Sequence, residues 1–347
     1  MPNKQGASSV KCVRRRFAPL AAALVISIAA SGAASEQLAQ EPPSPTQANI
    51  AYAPADPPGS RGHLLDLYLP TEAAKPVPVV IYIGGSAWKS DNDKVKAQRV
   101  AAELNQAGLA VAGVSIRSSA QTNFPGQLFD VKAAIRWLRA NASRYNLDPD
   151  RIAIMGSSSG AWAAMVAAVT GNRPELEGNV GTLDVSSSVQ AAVAFYPPTD
   201  FLAMGGRHDH PMSPESRLIG CAIKTCPEKA EAANPVRYVR GGEPPIMLLH
   251  GEQDAKVPYN QSELLYEALK KACDEAMFIS LPKGGHGQQG EFLTSDAVRE
   301  GATLRSTSTG DCKVTEATAV TPSWKTVIEF LDRNLKGRSG GGSHAAR

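Results

Sequence analysis

Three short segments carry side chains that together could perform nucleophilic catalysis. They are Gly156-Ser157-Ser158-Ser159-Gly160, His250-Gly251-Glu252-Gln253-Asp254 and Lys283-Gly284-Gly285-His286-Gly287. A serine hydroxyl is a weak nucleophile at neutral pH and needs a base within hydrogen-bond reach. A carboxylate behind that base holds its tautomer and stabilises the imidazolium. Ser158 stands at the centre of a G-x-S-x-G pattern that follows the mainly apolar run 151–155 and opens a small-residue stretch at Ala161. That is the strand–turn–helix setting in which a serine is pushed out above a sheet. His286 lies in a glycine-flanked turn past the run 276–281, and Asp254 lies in a turn past the run 245–250. The pattern predicts Ser158 as nucleophile, His286 as base and Asp254 as acid.

Other residues compete for these roles. His250 ends the run 245–250, but it precedes Asp254 by only four positions and is expected to pack beneath the site. His63, His208 and His210 lie outside the three segments. The His208-Asp209-His210 run is expected to be solvated, because a lone H-x-H in a polar loop is a poor metal site. Glu252 is the alternative acid. Asp200, in Tyr196-Pro197-Pro198-Thr199-Asp200, comes one strand too early and is expected to be structural. The oxyanion of an acyl-transfer intermediate needs backbone N–H donors. One is expected from Ser159, the other from Gly84-Gly85-Ser86-Ala87-Trp88, which follows an apolar run. Trp88 is a candidate substrate contact with packing on the next helix as the alternative. No cofactor or metal is implied.

The elements that must position these residues alternate along the chain. Apolar runs at 64–69, 79–83, 109–116, 152–155, 189–196, 245–250 and 276–281 predict strands. Amphipathic stretches at 93–107, 129–144, 261–273 and 324–335 predict helices. This alternation predicts an α/β domain over 51–336 with a mostly parallel central sheet and helices on both faces. The run 79–83 should be a central strand buried on both sides. Two segments exceed a minimal scaffold, 202–243 and 287–322. Because the second begins one residue after His286, it is expected to be a tethered wall or lid, with Phe292 and Leu293 as apolar contacts. The alternative is a polar insertion without a role.

The termini and the cysteines bear on location. Lys11, Arg14, Arg15 and Arg16 precede an apolar stretch of about 14 residues, short of the ~20 needed to span a membrane. Small residues follow at 31–35, so 1–35 is expected to be a signal peptide, with Arg14-Arg15-Arg16-Phe17 also fitting a twin-arginine start. Residues 36–50 are expected to be a flexible linker and 337–347 a disordered tail. A periplasmic or secreted protein with no membrane span after cleavage follows. Removing Cys12 leaves Cys221, Cys226, Cys273 and Cys312. Four cysteines allow three pairings. The close spacing of Cys221 and Cys226 favours one small loop and leaves Cys273 with Cys312, worth ~2 and ~4 kcal/mol in the chain-entropy model. A four-cysteine zinc site would need a second close pair. A formal charge of only +3 does not point to nucleic acid.

From about Leu65 to Leu335 the chain resembles the esterase/lipase branch of the α/β-hydrolases, near the bacterial feruloyl and acetyl-xylan esterases. The residues that carry the resemblance are Leu65-Asp66-Leu67-Tyr68-Leu69-Pro70, Ile83-Gly84-Gly85-Ser86-Ala87-Trp88 and Phe124-Pro125 with 130–138. The elbow at Ser158, Tyr196-Pro197-Pro198-Thr199-Asp200 and the Asp254 and His286 segments complete it. The resemblance implies Ser158, His286 and Asp254 as a triad and the N–H groups of Gly85, Ser86 and Ser159 as oxyanion donors. It also implies a small-molecule or polysaccharide-linked ester as substrate. Where relatives often have His-Gly-Gly, this chain has Gly84-Gly85-Ser86, and the hydrogen bonds of that histidine are absent. A prolyl-oligopeptidase-like peptidase and a catalytically silent hydrolase-fold binding module are the rival expectations.

Overall fold

The computed structural model describes residues 42–336 apart from 72, 172 and 288. The expected signal peptide, Cys12, the twin-arginine start and the tail lie outside the described residues. The strands are β1 (Gln47–Ala51), β2 (Leu64–Tyr68), β3 (Val77–Ile83), β4 (Ala110–Val114), β5 (Leu147–Ser157), β6 (Ala191–Phe195), β7 (Ile246–Gly251), β8 (Ala276–Leu281), β9 (Thr303–Thr307) and β10 (Val314–Ala317). They form one ten-stranded sheet in the order β1-β2-β4-β3-β5-β6-β7-β8-β9-β10. From β4 to β8 all neighbours are parallel, and an antiparallel pair closes each edge.

Five longer helices cover the sheet: α1 (Gln98–Leu104), α2 (Gly126–Ala140), α3 (Ser159–Ala168), α6 (Asn260–Lys271) and α9 (Trp324–Leu335). Short helices α4 (Pro214–Ile219), α5 (Pro227–Ala232), α7 (Glu291–Thr294) and α8 (Asp296–Arg299) lie in the two extra segments. Because strand side chains alternate between faces, β3 sends Val79, Ile81 and Ile83 to the core shared with α2, α3 and α6. Val80 and Tyr82 go to the core shared with α1 and α9. Every residue of β4 is buried, as is every residue of α3. Among the described residues no helix is long and apolar enough to cross a membrane.

Charged residues of the resembling motifs turn out to clamp the scaffold. Asp66, mid-strand in β2, takes both oxygens to the Lys94 ammonium and also accepts the Asn49 N–H. Asp130 on α2 binds Arg117 and His63, while Lys132 and Arg136 on the same helix share Glu177. His63 faces acceptors at both ring nitrogens, Pro54 O at 2.5 Å and Asp130 at 3.0 Å. Burial works against its charge, but Asp130 and that carbonyl prevail and raise its pKa.

Two expectations need correction. The linker expected over 36–50 ends early, because Gln47–Ala51 pairs with β2 and satisfies its backbone in the sheet. The segment 287–322 is not a wall over the site. Its α7 places Phe292 and Leu293 in the core at 1% and 2% exposure, with the Phe292 ring 5.5 Å from that of Tyr196. Burying two large apolar side chains is worth ~2–3 kcal/mol each, which outweighs leaving them at a solvent-facing rim. The rest of the segment makes the β9–β10 hairpin beside β8. Cys273 and Cys312 are bonded, as are Cys221 and Cys226. Since Thr307 pairs with Ala276, the hairpin turn carrying Cys312 sits at the start of β8, the end opposite His286. The tether holds the sheet edge, not a lid.

Candidate active site

Ser158 lies between β5 and α3 with φ 55° and ψ −125°. Such backbone costs a non-glycine residue ~1–3 kcal/mol and persists only where its surroundings enforce it. Here Ser158 N–H donates to Phe195 O at 2.9 Å, and Ser158 O accepts from Trp162 N–H at 3.0 Å. The elbow is thus tied to β6 on one side and to the first turn of α3 on the other. Its glycines are required by contact. A Cβ on Gly160 would lie 2.1 Å from Ile83 O, and one on Gly156 would lie 2.3 Å from Gly160 O.

Asp254 follows β7 in a turn closed by its own N–H to Gly251 O. Its Oδ1 accepts from Lys256 N at 2.7 Å and Val257 N at 2.9 Å, and its Oδ2 accepts from His286 Nδ1 at 2.8 Å. Burial alone would raise the Asp254 pKa, but hydrogen bonds from His250, His286 and the Val257 N–H outweigh it and hold it well below the usual carboxylate range. The carboxylate can only accept, so the His286 proton resides on Nδ1 and Nε2 is left with its lone pair. The Asp254 side chain is fully buried and that of His286 is 15% exposed, which leaves the base side open.

The competing residues have structural partners. His250 is fully buried; Nε2 faces Val257 O at 3.1 Å and Nδ1 faces Ser262 Oγ at 2.7 Å. A carbonyl can only accept, so Nε2 carries the proton, and it lies 3.5 Å from Asp254 Oδ2. His250 therefore buttresses the carboxylate from beneath. Glu252 accepts from Ser280 Oγ, and Asp200 accepts from Leu202 N and Asn234 Nδ2. His208 pairs with Glu215 at 3.1 Å, while His210 Nδ1 accepts from Met212 N. Among the described residues no group of three or more His, Cys, Asp or Glu is arranged to hold a metal ion.

The expected oxyanion loop abuts the elbow. A Cβ on Gly85 would lie 2.7 Å from Ser158 Cβ and 2.5 Å from Ser157 O, so only glycine permits the approach. Ser86 N–H donates to Ser159 Oγ at 2.9 Å. Of the three expected donors, the Ser86 N–H thus already has an acceptor, supplied by the side chain next to Ser158. Trp88 is corrected outright. At 4% exposure it is wedged edge-on between Trp162 and Phe201, with centroids 5.4 and 5.8 Å away, and offers almost no surface to a substrate. Edge-to-face rings gain both burial and quadrupole attraction there.

Sequence patterning missed the support of His286. Tyr196, at φ 44°, sets its ring 4.6 Å from that of His286 and donates its hydroxyl to Gly287 O at 2.5 Å. Tyr82 donates to Gln289 Oε1 at 2.7 Å and meets Ser157 Oγ at 3.3 Å. Burial pushes the Tyr82 hydroxyl up to about 12, so it remains a donor. Two tyrosines, Tyr82 in β3 and Tyr196 just past the end of β6, thereby hold the loop after β8. Tyr196 was visible in its Pro-Pro motif, but Tyr82 had no signal beyond strand patterning.

With this geometry in hand, comparisons locate the chain among known proteins. The model of the family described as BD-FAE matches residues 65–269. "Esterase LipQ" of Mycobacterium tuberculosis is 32% identical over 66% of this chain and 55% of its own length. The chain spans about half the length of such full-length relatives. A structure titled "Truncated form of carbohydrate esterase from gut microbiota" superposes with TM-score 0.71 at 31% identity, covering 86% of this chain and 99% of that one. A "Bifunctional GH43-CE" from Bacteroides eggerthii is 38% identical over 69% of this chain and 35% of its own, with TM-score 0.66.

Proposed function

The chain belongs to the BD-FAE family of α/β-hydrolase esterases, and from that premise we propose that it hydrolyses carboxylic esters through Ser158, His286 and Asp254. The observation that carries the reading is the 2.8 Å Nδ1–H bond from His286 to a buried carboxylate, at the same strand ends as the strained Ser158 elbow. Ser158 Oγ bonds to the ester carbonyl carbon while its proton passes to His286 Nε2. The tetrahedral oxyanion is met by the N–H groups of Gly85 and Ser159, which make no hydrogen bond among the described residues, and by Ser86 once Ser159 Oγ turns aside. The carbon–oxygen bond to the alcohol breaks as His286 returns the proton to that oxygen. Water then gives a proton to His286 and its oxygen to the acyl carbon, releasing acid and regenerating the Ser158 hydroxyl.

The substrates we propose are acetyl or feruloyl esters of plant polysaccharide. The similarity to the structure described as a carbohydrate esterase from gut microbiota supports this class. Export to the periplasm or medium is proposed with it, supported by the two disulfides, which persist in oxidising compartments. Fluorophosphonate labelling of the wild type and of Ser158→Ala tests the nucleophile. Hydrolysis of p-nitrophenyl acetate, acetylated xylan, methyl ferulate and a prolyl amide tests the class. The proposal expects labelling only in the wild type and turnover of esters only. Labelling that survives Ser158→Ala, or preference for the amide, would sink it, and an unlabelled, inactive wild type would favour a binding module.

A further inference from the structure

The Gly85–Ser86 peptide beside the nucleophile is held from behind by a lysine. Lys96 lies in the 3-10 turn Asp93–Ala97, and its Nζ donates to Gly85 O at 2.5 Å while pairing with Asp93 Oδ1 at 2.8 Å. Its stem fills the place of a side chain at position 84. A Cβ on Gly84 would lie 2.5 Å from Lys96 Cδ and 2.9 Å from Lys96 Cβ. The absence of a side chain at Gly84 and the presence of Lys96 are therefore one feature: the lysine occupies the space behind the loop.

Gly85 C=O and Ser86 N–H belong to the same planar peptide unit and point in opposite directions. Fixing the carbonyl on Lys96 consequently fixes the direction of the N–H. That N–H points at Ser159 Oγ, one residue from the nucleophile. Gly85 lies so close to the Ser157 carbonyl and to Ser158 Cβ that even a Cβ would not fit between them, so a rotation of this peptide would be felt at the nucleophile. An ammonium on the carbonyl also polarises the amide and strengthens its N–H as a donor.

We infer that Lys96 is a positioning residue for the oxyanion-stabilising peptide: its ammonium orients and polarises the Gly85–Ser86 amide toward the carbonyl oxygen of the bound ester. The inference rests on the proposed esterase reading. Lys96 never touches the substrate and acts through that peptide alone. Its side chain is 43% exposed, so removing its charge does not open the core.

The test uses Lys96→Met, which keeps an apolar stem over Gly84 but deletes the ammonium, and Lys96→Arg, which keeps the charge. Loss of a whole oxyanion donor costs ~10²–10³ in kcat. Loss of one donor's orientation should lower kcat on p-nitrophenyl acetate by roughly tenfold in Lys96→Met, with KM unchanged. Inhibition by an aryl trifluoromethyl ketone, whose hemiketal oxyanion occupies the hole, should weaken by about the same factor. Lys96→Arg should recover most of both losses. Unchanged kcat and inhibitor affinity in Lys96→Met would overturn the inference, as would equal losses in both variants. A wild type that hydrolyses no ester, or a Ser158→Ala variant as active as wild type, would instead overturn the esterase reading beneath it.

Discussion

Replacing Asp254 by asparagine changes one atom facing the base, and the surrounding hydrogen bonds decide which atom it is. Asp254 Oδ1 accepts two backbone N–H groups, from Lys256 and Val257. An asparagine must keep its carbonyl oxygen there, because an NH₂ turned toward two N–H donors would leave all of them unpaired. Its NH₂ therefore falls at the Oδ2 position, against His286 Nδ1. A donor there forces Nδ1 to accept and moves the imidazole proton to Nε2, where it blocks uptake of the Ser158 proton. A wrong-tautomer histidine costs ~10⁴ in kcat, which is about 5 kcal/mol of barrier.

Steady-state hydrolysis of p-nitrophenyl acetate measures the loss, and a thermal melt shows whether the fold survives. Because Asp254 is held below the ordinary carboxylate range, it contributes stability above its unfolded pKa of ~3.9 that asparagine lacks. The variant should melt lower at neutral pH, and the gap should close only in strong acid, as the wild type falls through its depressed native pKa. Glu252→Gln is the control, since an amide oxygen still accepts from Ser280 Oγ, and it should keep most activity. A folded Asp254→Asn enzyme within tenfold of wild type, or a larger loss in Glu252→Gln, would refute the reasoning.

Tyr196→Phe keeps the ring against His286 but deletes the bond to Gly287 O; kcat should fall roughly tenfold with little change in KM, because the base is displaced while substrate contacts remain. Kinetics on a panel of esters checks this, and an unchanged kcat would remove Tyr196 from the support of the base. Asp274, with Oδ1 on Gly242 N–H and Glu243 beside it, is pushed up to about 7, first by burial and then by that second carboxyl. Its raised pKa means that the folded state holds a proton the unfolded state has lost, so wild-type stability falls as pH rises from ~4 to about 7. Asp274→Asn should flatten that fall and melt higher at pH 7 and above; melts that remain parallel across this range would count against it.

Much of this protein is legible along the chain. Strand runs with period-two or continuous apolar character predicted the parallel sheet, and glycine-bounded turns after three of them marked Ser158, Asp254 and His286. These signals are local, because a strand end followed by a small-residue turn is written in consecutive residues. The short spacing from Cys221 to Cys226 likewise favoured the cysteine pairing that the structure has. What lies across a turn from another element is not written locally. Phe292 and Leu293 stand only six and seven positions after His286, yet the rings of Phe195 and Tyr196 draw Phe292 inward. Trp88 ends the segment expected to supply an oxyanion donor, yet Trp162 and Phe201 enclose it. The ammonium of Lys96 meets Gly85 O, and the hydroxyl of Tyr196 meets Gly287 O across 91 positions of chain. Sequence spacing determined which residues stand at strand ends, because that follows from backbone periodicity. Only the packed structure decided which side chains hold them, because burial and hydrogen-bond satisfaction are settled by neighbours that are distant in the chain.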